Sequence, residues 1–262
     1  MPTAIDHPLI TRMDVRRELP VHESSRRLRE LFPACPLVYG IAVLDDVTRH
    51  RWWPIDSKQT DTLLRVMFDD AANDIGPHAA ARQLTATLVH EIIGRMLPLV
   101  LLEGRAWDVG LENLWMHLDR EGAIDWAAVV DPTLRVLPDD PCVADPTGDA
   151  AAQRWRQKGV VAVPSESALT TWVAHRCHQS LTRLFDSLSA ICNGAVAVPA
   201  MWHIVGSAII AIAAQIPRPA SADELITCRS QGILDAMLGF GVPVRRSRRA
   251  VTPLLTTDTS SN

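Results

Sequence analysis

The segment from Trp107 to Asp131 has the alternating pattern of a β-hairpin. Apolar and polar residues alternate at its start, and apolar residues continue to Leu118 and return at Ile124. Residues 119–122 form a polar turn between the two runs and include a glycine for a positive φ. The helical segments on either side need a surface for their apolar faces, so we predict that this small sheet lies at the centre of the fold.

Helical periodicity governs most of the remaining chain. Apolar spacing, capping residues and prolines predict helices at about residues 23–32, 56–72, 78–102, 164–190, 200–216 and 221–238. Pro98 is expected to kink the third helix. Residues 37–44 are predicted to form a buried strand or an irregular core segment, and the proline-rich residues 131–159 a surface loop.

The predicted fold class is α+β. A small antiparallel β-sheet around residues 107–137 is flanked by an N-terminal helical part and a C-terminal helical half. Residues 1–159 are predicted to form an N-terminal α+β half that contains the hairpin, residues 160–250 the C-terminal helical half, and residues 251–262 a flexible tail. The two halves are expected to pack into one compact domain.

Composition adds limits on the partners and the compartment. Of the 262 residues, 47% are hydrophobic and 21% charged, and the net charge is −4, so no nucleic-acid partner is predicted. The N-terminus lacks the uninterrupted apolar run of a secretory signal. The most apolar segment, Ile204 to Ile216, is shorter than the roughly 20 residues that span a bilayer. We therefore predict a cytoplasmic protein with no membrane span.

The cysteines and histidines do not predict a metal site. The sequence contains five scattered cysteines, Cys35, Cys142, Cys177, Cys192 and Cys228. They include no C-x-x-C pair and no Cys/His cluster at zinc spacing. His175 and His178 share a helix face, but two histidines without a carboxylate make a weak metal site. We predict no metal ligands, and we expect the thiols to be reduced.

The densest group of polar and aromatic residues follows the apolar segment 37–44. It contains Asp45, Asp46, Arg49, His50, Arg51, Trp52 and Trp53. A carboxylate near a histidine offers a proton acceptor near neutral pH, an arginine offers a fork for an anion, and an indole can wall a pocket. We predict Asp45 and His50 as catalytic residues and Arg51 and Trp53 as substrate-binding residues. The alternative is a surface turn with two core tryptophans.

Four further polar residues within the apolar segments are candidates for substrate binding. Glu112, Asn113 and His117 belong to the hairpin segment and are predicted to bind substrate in a cleft between the sheet and the C-terminal helices. Their alternative is a solvated sheet face. His203 follows Trp202 on an apolar helix and is also predicted to bind substrate, with a hydrogen-bonded core histidine as the alternative.

Three features together resemble a known family. Leu97-Pro98-Leu99 precedes a turn at Gly104, the segment LENLWMHLDREG follows at residues 111–122, and MWHIVGSA follows at residues 201–208, with Arg245-Arg246-Ser247 beyond it. This pattern resembles the FhuF-type ferric-siderophore reductases and, more distantly, the C-terminal domain of the siderophore synthetases. The resemblance implies a shared α+β scaffold over roughly residues 65–250.

The departures from that family concern its chemistry. Family members hold a [2Fe–2S] cluster on cysteine pairs that follow Arg-Arg-Ser, whereas this chain has Arg248 and Arg249 there and no cysteine after Cys228. The family's Trp-Gly-Asn pattern is Trp-His-Ile here. Of the His-Leu-Gln-Asn segment that contributes to the nucleotide site of the synthetases, Asn113 alone carries over. No iron–sulfur cluster and no other cofactor is therefore expected.

The resemblance and its departures lead to three hypotheses. The first is a cluster-less FhuF-like protein of bacterial siderophore or other natural-product metabolism, which binds a small molecule and performs metal-independent proton transfer in an elimination or a cyclisation. In one version of this first hypothesis, the protein also has a partner subunit, which is either a homologue or the product of a neighbouring gene. The second is a ferric-siderophore reductase, and the third is a non-catalytic siderophore-binding or partner subunit. An uncovered apolar surface at Ile209, Ile210 and Ile212 would favour the third.

Overall fold

The computed structural model describes residues 19–33, 40–56, 58–144, 159–217 and 222–245. The helices are α1 (Pro20–Leu31), α2 (Lys58–Ile75), α3 (Pro77–Val89), α4 (Leu97–Glu103), α5 (Pro141–Ala144), α6 (Glu166–Ile191), α7 (Val198–Gln215) and α8 (Asp223–Gly239). The strands are β1 (Ala42–Val43), β2 (Trp52–Pro54), β3 (Arg105–Trp107), β4 (Leu114–Leu118), β5 (Ile124–Val129), β6 (Leu134–Val136) and β7 (Val160–Ala162). The fold is α+β, as predicted.

Some of the predictions concern residues outside these ranges. They are the tail 251–262, the arginine-rich segment 246–249, Cys35, the helix cap at Ser221 and residues 145–158 of the loop predicted at 131–159. The described part of that predicted loop contains β6 and α5 instead.

The predicted hairpin is confirmed as the pair β4 and β5. These strands are antiparallel, with Leu114 opposite Val129 and His117 opposite Trp126. The carboxylate of Asp119 closes the turn by accepting hydrogen bonds from the backbone N–H groups of residues 121 and 123 at 2.9 and 2.8 Å. Burial alternates along β4, so one face of the hairpin packs into the core and the other carries half-buried side chains.

The strands form two mixed sheets rather than one antiparallel sheet. The first has the order β1-β5-β4-β2 and the second the order β3-β6-β7; β1 pairs with β5 in parallel, as does β6 with β7. The predicted alternation from Trp107 to Leu111 is therefore not one strand of the hairpin. Trp107 ends β3, and the chain turns because the carboxylate of Asp108 accepts the backbone N–H of Gly110 at 2.8 Å.

The long N-terminal helix breaks earlier than Pro98. Helix α3 ends at Val89, residues 90–94 form a π-turn, and α4 begins at Leu97 with Pro98 in its first turn. A Cβ on Gly94 would lie 2.5 Å from Nδ1 of His90, so the turn needs a glycine there. The π-turn, and not the proline, divides the helix.

A buried ion pair joins the π-turn to the first sheet. Arg95 is 2% exposed and donates to the carboxylate of Glu91 through Nε at 2.6 Å and Nη2 at 3.1 Å. The same guanidinium donates to the backbone carbonyls of Gly40 and Asp125 at 3.4 and 3.0 Å, and it lies 5.5 Å from the ring centroid of Trp126. One side chain thus connects the helix break, the segment before β1 and strand β5.

Helix α6 is held against α4 and α8 by a second buried arginine. Arg229 of α8 donates to the carbonyls of Val100 and Leu101 at 3.3 and 3.0 Å, near the C-terminus of α4. Its Nη2 also donates to Glu166 in the first turn of α6 at 2.6 Å. The carbonyl of Val100 also accepts the backbone N–H of Gly104 at 3.0 Å, whereas Leu101 lies in the last turn of α4, where carbonyls lack intrahelical partners. The contacts of Arg229 thus satisfy the end of α4 and join three helices.

The two most apolar helical stretches differ in how far they are buried. Two helical stretches, Pro77–Glu103 and Val198–Gln215, are long and apolar enough to cross a membrane. The most apolar window of the first is 83% buried inside the fold and that of the second 28%. The burial of the first is typical of a core helix in a soluble globular protein. The cytoplasmic location and the lack of a membrane span stay predictions.

Removing the counter-ion of Arg95 tests the importance of the buried pair. The substitution Glu91→Gln leaves a buried guanidinium without its carboxylate, and we expect a loss of about 3–5 kcal/mol in the free energy of unfolding. Asp45→Asn is the matched control, because Asp45 and Arg49 have the same spacing but are 73% and 65% exposed. The control should lose less than about 1 kcal/mol. Urea denaturation measures both, and equal losses would contradict this assignment.

Candidate functional site

A groove lies between the turn at residues 108–112 and helix α6. Its volume is about 450 Å³, within the range of roughly 300–1,000 Å³ that is usual for ligand sites. We call it the α6 groove, and its lining residues are Gly110, Leu111, Glu112, Arg176, His178, Gln179, Ser180, Thr182 and Arg183. A neighbouring cavity of about 350 Å³ shares Leu111 and Arg183 with it and reaches Asp56 and the start of α2.

The turn that forms one wall is anchored by Asn113. The side-chain amide of Asn113 donates to the carbonyls of Asp108 and Asp131 at 2.9 and 3.1 Å. Its side-chain oxygen accepts the backbone N–H groups of Val130 and Asp131 at 3.1 and 2.6 Å. Both ends of this buried amide are thus occupied by backbone, which fixes the turn against the end of β5.

Helix α6 forms the opposite wall and is bonded directly to the turn. The hydroxyl of Ser180 donates to the carbonyl of Val109 at 2.8 Å, and Nε of Arg176 donates to Asp108 at 2.7 Å. A Cβ on Gly110 would lie 1.7 Å from Nη2 of Arg176, so the guanidinium lies directly against this glycine and would have to shift for a larger residue. The width of the groove is therefore set by contacts between its own two walls.

Two arginines line the groove, and both are paired with carboxylates, Arg176 with Asp108 and Glu112 and Arg183 with Asp56. Arg176 donates through Nη2 to the carboxylate of Glu112, and Arg183 donates to Asp56 at 2.5 Å. A hydrogen bond from its own backbone N–H, together with the one from Arg176, lowers the pKa of Glu112. Glu112 is accordingly ionised at neutral pH.

His178 stands on the wall of the groove between aromatic rings. Its imidazole stacks on Phe240 with a centroid separation of 5.4 Å and lies 5.7 Å from the ring of Trp202. Burial lowers the pKa of His178, and the nearby His175 lowers it further. His178 is therefore neutral at pH 7 and can accept a proton. The local sequence points to His178 only as a weak metal ligand, because its ring partners come from α7 and the end of α8.

The predicted residues of the turn at 45–53 do not line the α6 groove. Asp45 and His50 are exposed, and Asp45 pairs with Arg49 at 3.6 Å. Arg51 has a positive φ of 65° and donates to the carbonyl of Asp119 at 2.7 Å, so it ties this turn to the hairpin turn. Trp53 is half-buried in β2.

The remaining predicted residues lie in three different places. Glu112 lines the α6 groove, with the buried Asn113 behind it. His117 lies in β4, accepts or donates a hydrogen bond at Nδ1 with Asp125 at 2.7 Å, and packs 5.1 Å from the ring of Trp52. His203 lines a separate cavity of about 690 Å³ between α3 and α7.

The described cysteines are free thiols at separate positions. Cys177 and Cys192 are buried, Cys142 is half-buried and Cys228 is exposed. Burial raises the pKa of Cys177 to about 12. Within the described part of the chain, no three His, Cys, Asp or Glu side chains form a group that could hold a metal ion.

The surface proposed for a partner is only partly uncovered. Ile210 of α7 is 55% exposed, whereas Ile209 is fully buried and Ile212 is half-buried. A partner subunit stays a prediction.

Comparisons with known proteins do not assign the chain to a family. No protein-family model matches the sequence, and no curated protein matches it.

The lowered pKa of His178 can be measured directly. Replacing His175 with Gln removes the neighbouring charge, so we expect the pKa of His178 to rise toward its ordinary value of 6.5 while burial still holds it below that value. NMR titration of the imidazole carbons measures the change. His203→Gln on α7 is the control and should leave the titration of His178 unchanged. A His178 that titrates at 6.5 in the unmodified chain would contradict this assignment.

Proposed function

We propose that this protein binds a small molecule in the α6 groove and removes a proton from it with His178, without a metal. The observation that carries the proposal is the position of a histidine with a lowered pKa on the wall of a ligand-sized groove, beside two arginines. A neutral imidazole accepts a proton, and a nearby guanidinium stabilises the negative charge that remains on the substrate.

The reaction class follows from the fate of that negative charge. When the proton passes from a C–H bond to His178, the electron pair of that bond stays on the substrate. The pair can expel a leaving group, which is an elimination, or attack an electrophilic carbon of the same molecule, which closes a ring. Arg176 and Arg183 line the same groove, and a guanidinium stabilises the negative charge that develops in either case. The chain would thus act as a lyase or a cyclase.

The FhuF-like origin of the scaffold is part of the proposal. The residues that carry the resemblance have structural roles: Pro98 starts α4, Asn113 anchors the groove wall, and a Cβ on Gly206 would lie 1.8 Å from the carbonyl of Val244. Roles of this kind support a shared scaffold and leave the chemistry to other residues. Together with the resemblance in sequence, these roles support the proposal that the chain acts in bacterial siderophore or other natural-product metabolism.

Solvent exchange tests the proton transfer without a known substrate. The protein is incubated in D₂O with small carbonyl compounds that carry acidic C–H bonds, and NMR follows the incorporation of deuterium. We expect exchange into at least one compound, and a rate roughly 10²–10⁴-fold lower for His178→Gln. His203→Gln, which alters a different cavity, is the matched control and should keep the full rate. Exchange that does not depend on His178 in a folded variant would refute the proposed function.

Iron analysis tests the competing reductase hypothesis. We expect anaerobically purified protein to be colourless and to contain no stoichiometric iron or sulfide, because the family's C-terminal cysteines are absent from the sequence. An absorption spectrum and chemical iron and sulfide assays provide the measurement. A stoichiometric cluster would favour the ferric-siderophore reductase instead.

A further inference from the structure

Arg176 and its partner Asp108 are mostly buried, whereas its partner Glu112 is mostly exposed to solvent. The side chain of Arg176 is 19% exposed, and that of Asp108, which accepts from its Nε at 2.7 Å, is 18% exposed. Gln179 accepts from Nη1 at 3.0 Å. The third partner, Glu112, is 63% exposed and meets Nη2 from the groove side.

These partners differ in how easily they can leave. An ion pair with a largely exposed carboxylate is typically worth about 0.2–1 kcal/mol, because water competes for both groups. If Glu112 swings into solvent, the largely buried Asp108 still holds the guanidinium at Nε. Gly110 also stays beneath it. The Nη2 group of Arg176, which Glu112 had occupied, can then donate to another acceptor.

We infer that Glu112 occupies the position of a ligand carboxylate, so that the natural ligand of the α6 groove is a carboxylate that displaces Glu112 from Arg176. The inference rests on the proposed function for the location of the ligand and adds its chemical class. It also assigns Glu112 a role as an internal competitor. When no ligand is bound, Arg176 stays paired with Glu112. A ligand without a negative charge cannot take the place of the Glu112 carboxylate.

Arg176 is suited to this exchange because of its position and its chemistry. A guanidinium offers parallel N–H donors that match the two oxygens of a carboxylate, whereas an ammonium offers a single centre of charge. Arg183 follows two helical turns later on the same helix and is paired with the half-exposed Asp56. It places a second guanidinium on the lining of the same groove.

Acetate is the probe because it consists of a carboxylate and a single methyl group. ¹⁵N-labelled protein is titrated with sodium acetate at constant ionic strength, and the backbone amide signals of Gly110 and Glu112 are followed. Acetamide, which has the same shape without the charge, is titrated in parallel. We expect acetate to shift these signals and acetamide to leave them unchanged.

The decisive variant is Glu112→Ala. Removing the internal competitor should tighten acetate binding by roughly two- to fivefold, the factor that corresponds to an exposed ion pair. Arg176→Gln should abolish it. Glu23→Ala is the matched control, because Glu23 also pairs with an arginine at a half-exposed site but lies on α1, away from the groove. The control should bind acetate as the unmodified chain does.

The acetate titration and the deuterium-exchange experiment test the two proposals separately. Acetate affinity that is equal in Glu112→Ala and the unmodified chain would overturn the inference, as would acetamide binding as tightly as acetate. His178→Gln should still bind acetate, because the inference does not involve the imidazole. Loss of deuterium exchange in that variant with unchanged acetate binding would support both proposals, and each would therefore fail on its own measurement.

Discussion

The buried guanidinium of Arg95 needs hydrogen-bond acceptors inside the core, and the arrangement of the first sheet depends on supplying them. Glu91 supplies the carboxylate from the π-turn, while the carbonyls of Gly40 and Asp125 complete the set. Those carbonyls come from the segment before β1 and from β5, so one guanidinium fixes the helix break and two neighbouring strands in a single geometry. A hydrophobic side chain there would fill the space without specifying which strand lies beside which.

The shape of the α6 groove depends on the position of β5 in the first sheet. Strand β5 positions the residues that Asn113 binds, Asn113 holds the turn before β4, and that turn carries Gly110 and Glu112 to α6. Helix α6 is itself fixed at its N-terminus by Arg229. The two walls of the groove are therefore joined by direct hydrogen bonds, and Glu112 is the most exposed partner of Arg176. Such an arrangement suits a site in which a ligand replaces one exposed side chain without moving the backbone.

Local patterns in the sequence predicted the parts of the fold that depend on local contacts. The hairpin of β4 and β5 and the long helix α6 were predicted correctly, because periodicity reports which face of an element is buried. The sequence did not reveal that Trp107 belongs to a different sheet, since the turn after it depends on one side-chain hydrogen bond from Asp108. Glu112 was recognised as a candidate for the cleft. The setting of His178 was not, because its aromatic neighbours come from other helices, and the density of polar residues around Asp45 reflects an exposed turn.

The parallel pairing of β1 with β5 has a consequence for the synthesis of the chain. Ala42 pairs with Ala128, and the stretch between them contains α2, α3, α4 and β4. At a translation rate of about 5–20 residues per second, the ribosome needs roughly 4–17 s to make that stretch. During this time the apolar residues of β1 have no strand to pair with. The N-terminal part of the nascent chain is therefore the segment that most needs shielding from aggregation, and overproduction at low temperature, where aggregation slows, should favour soluble protein.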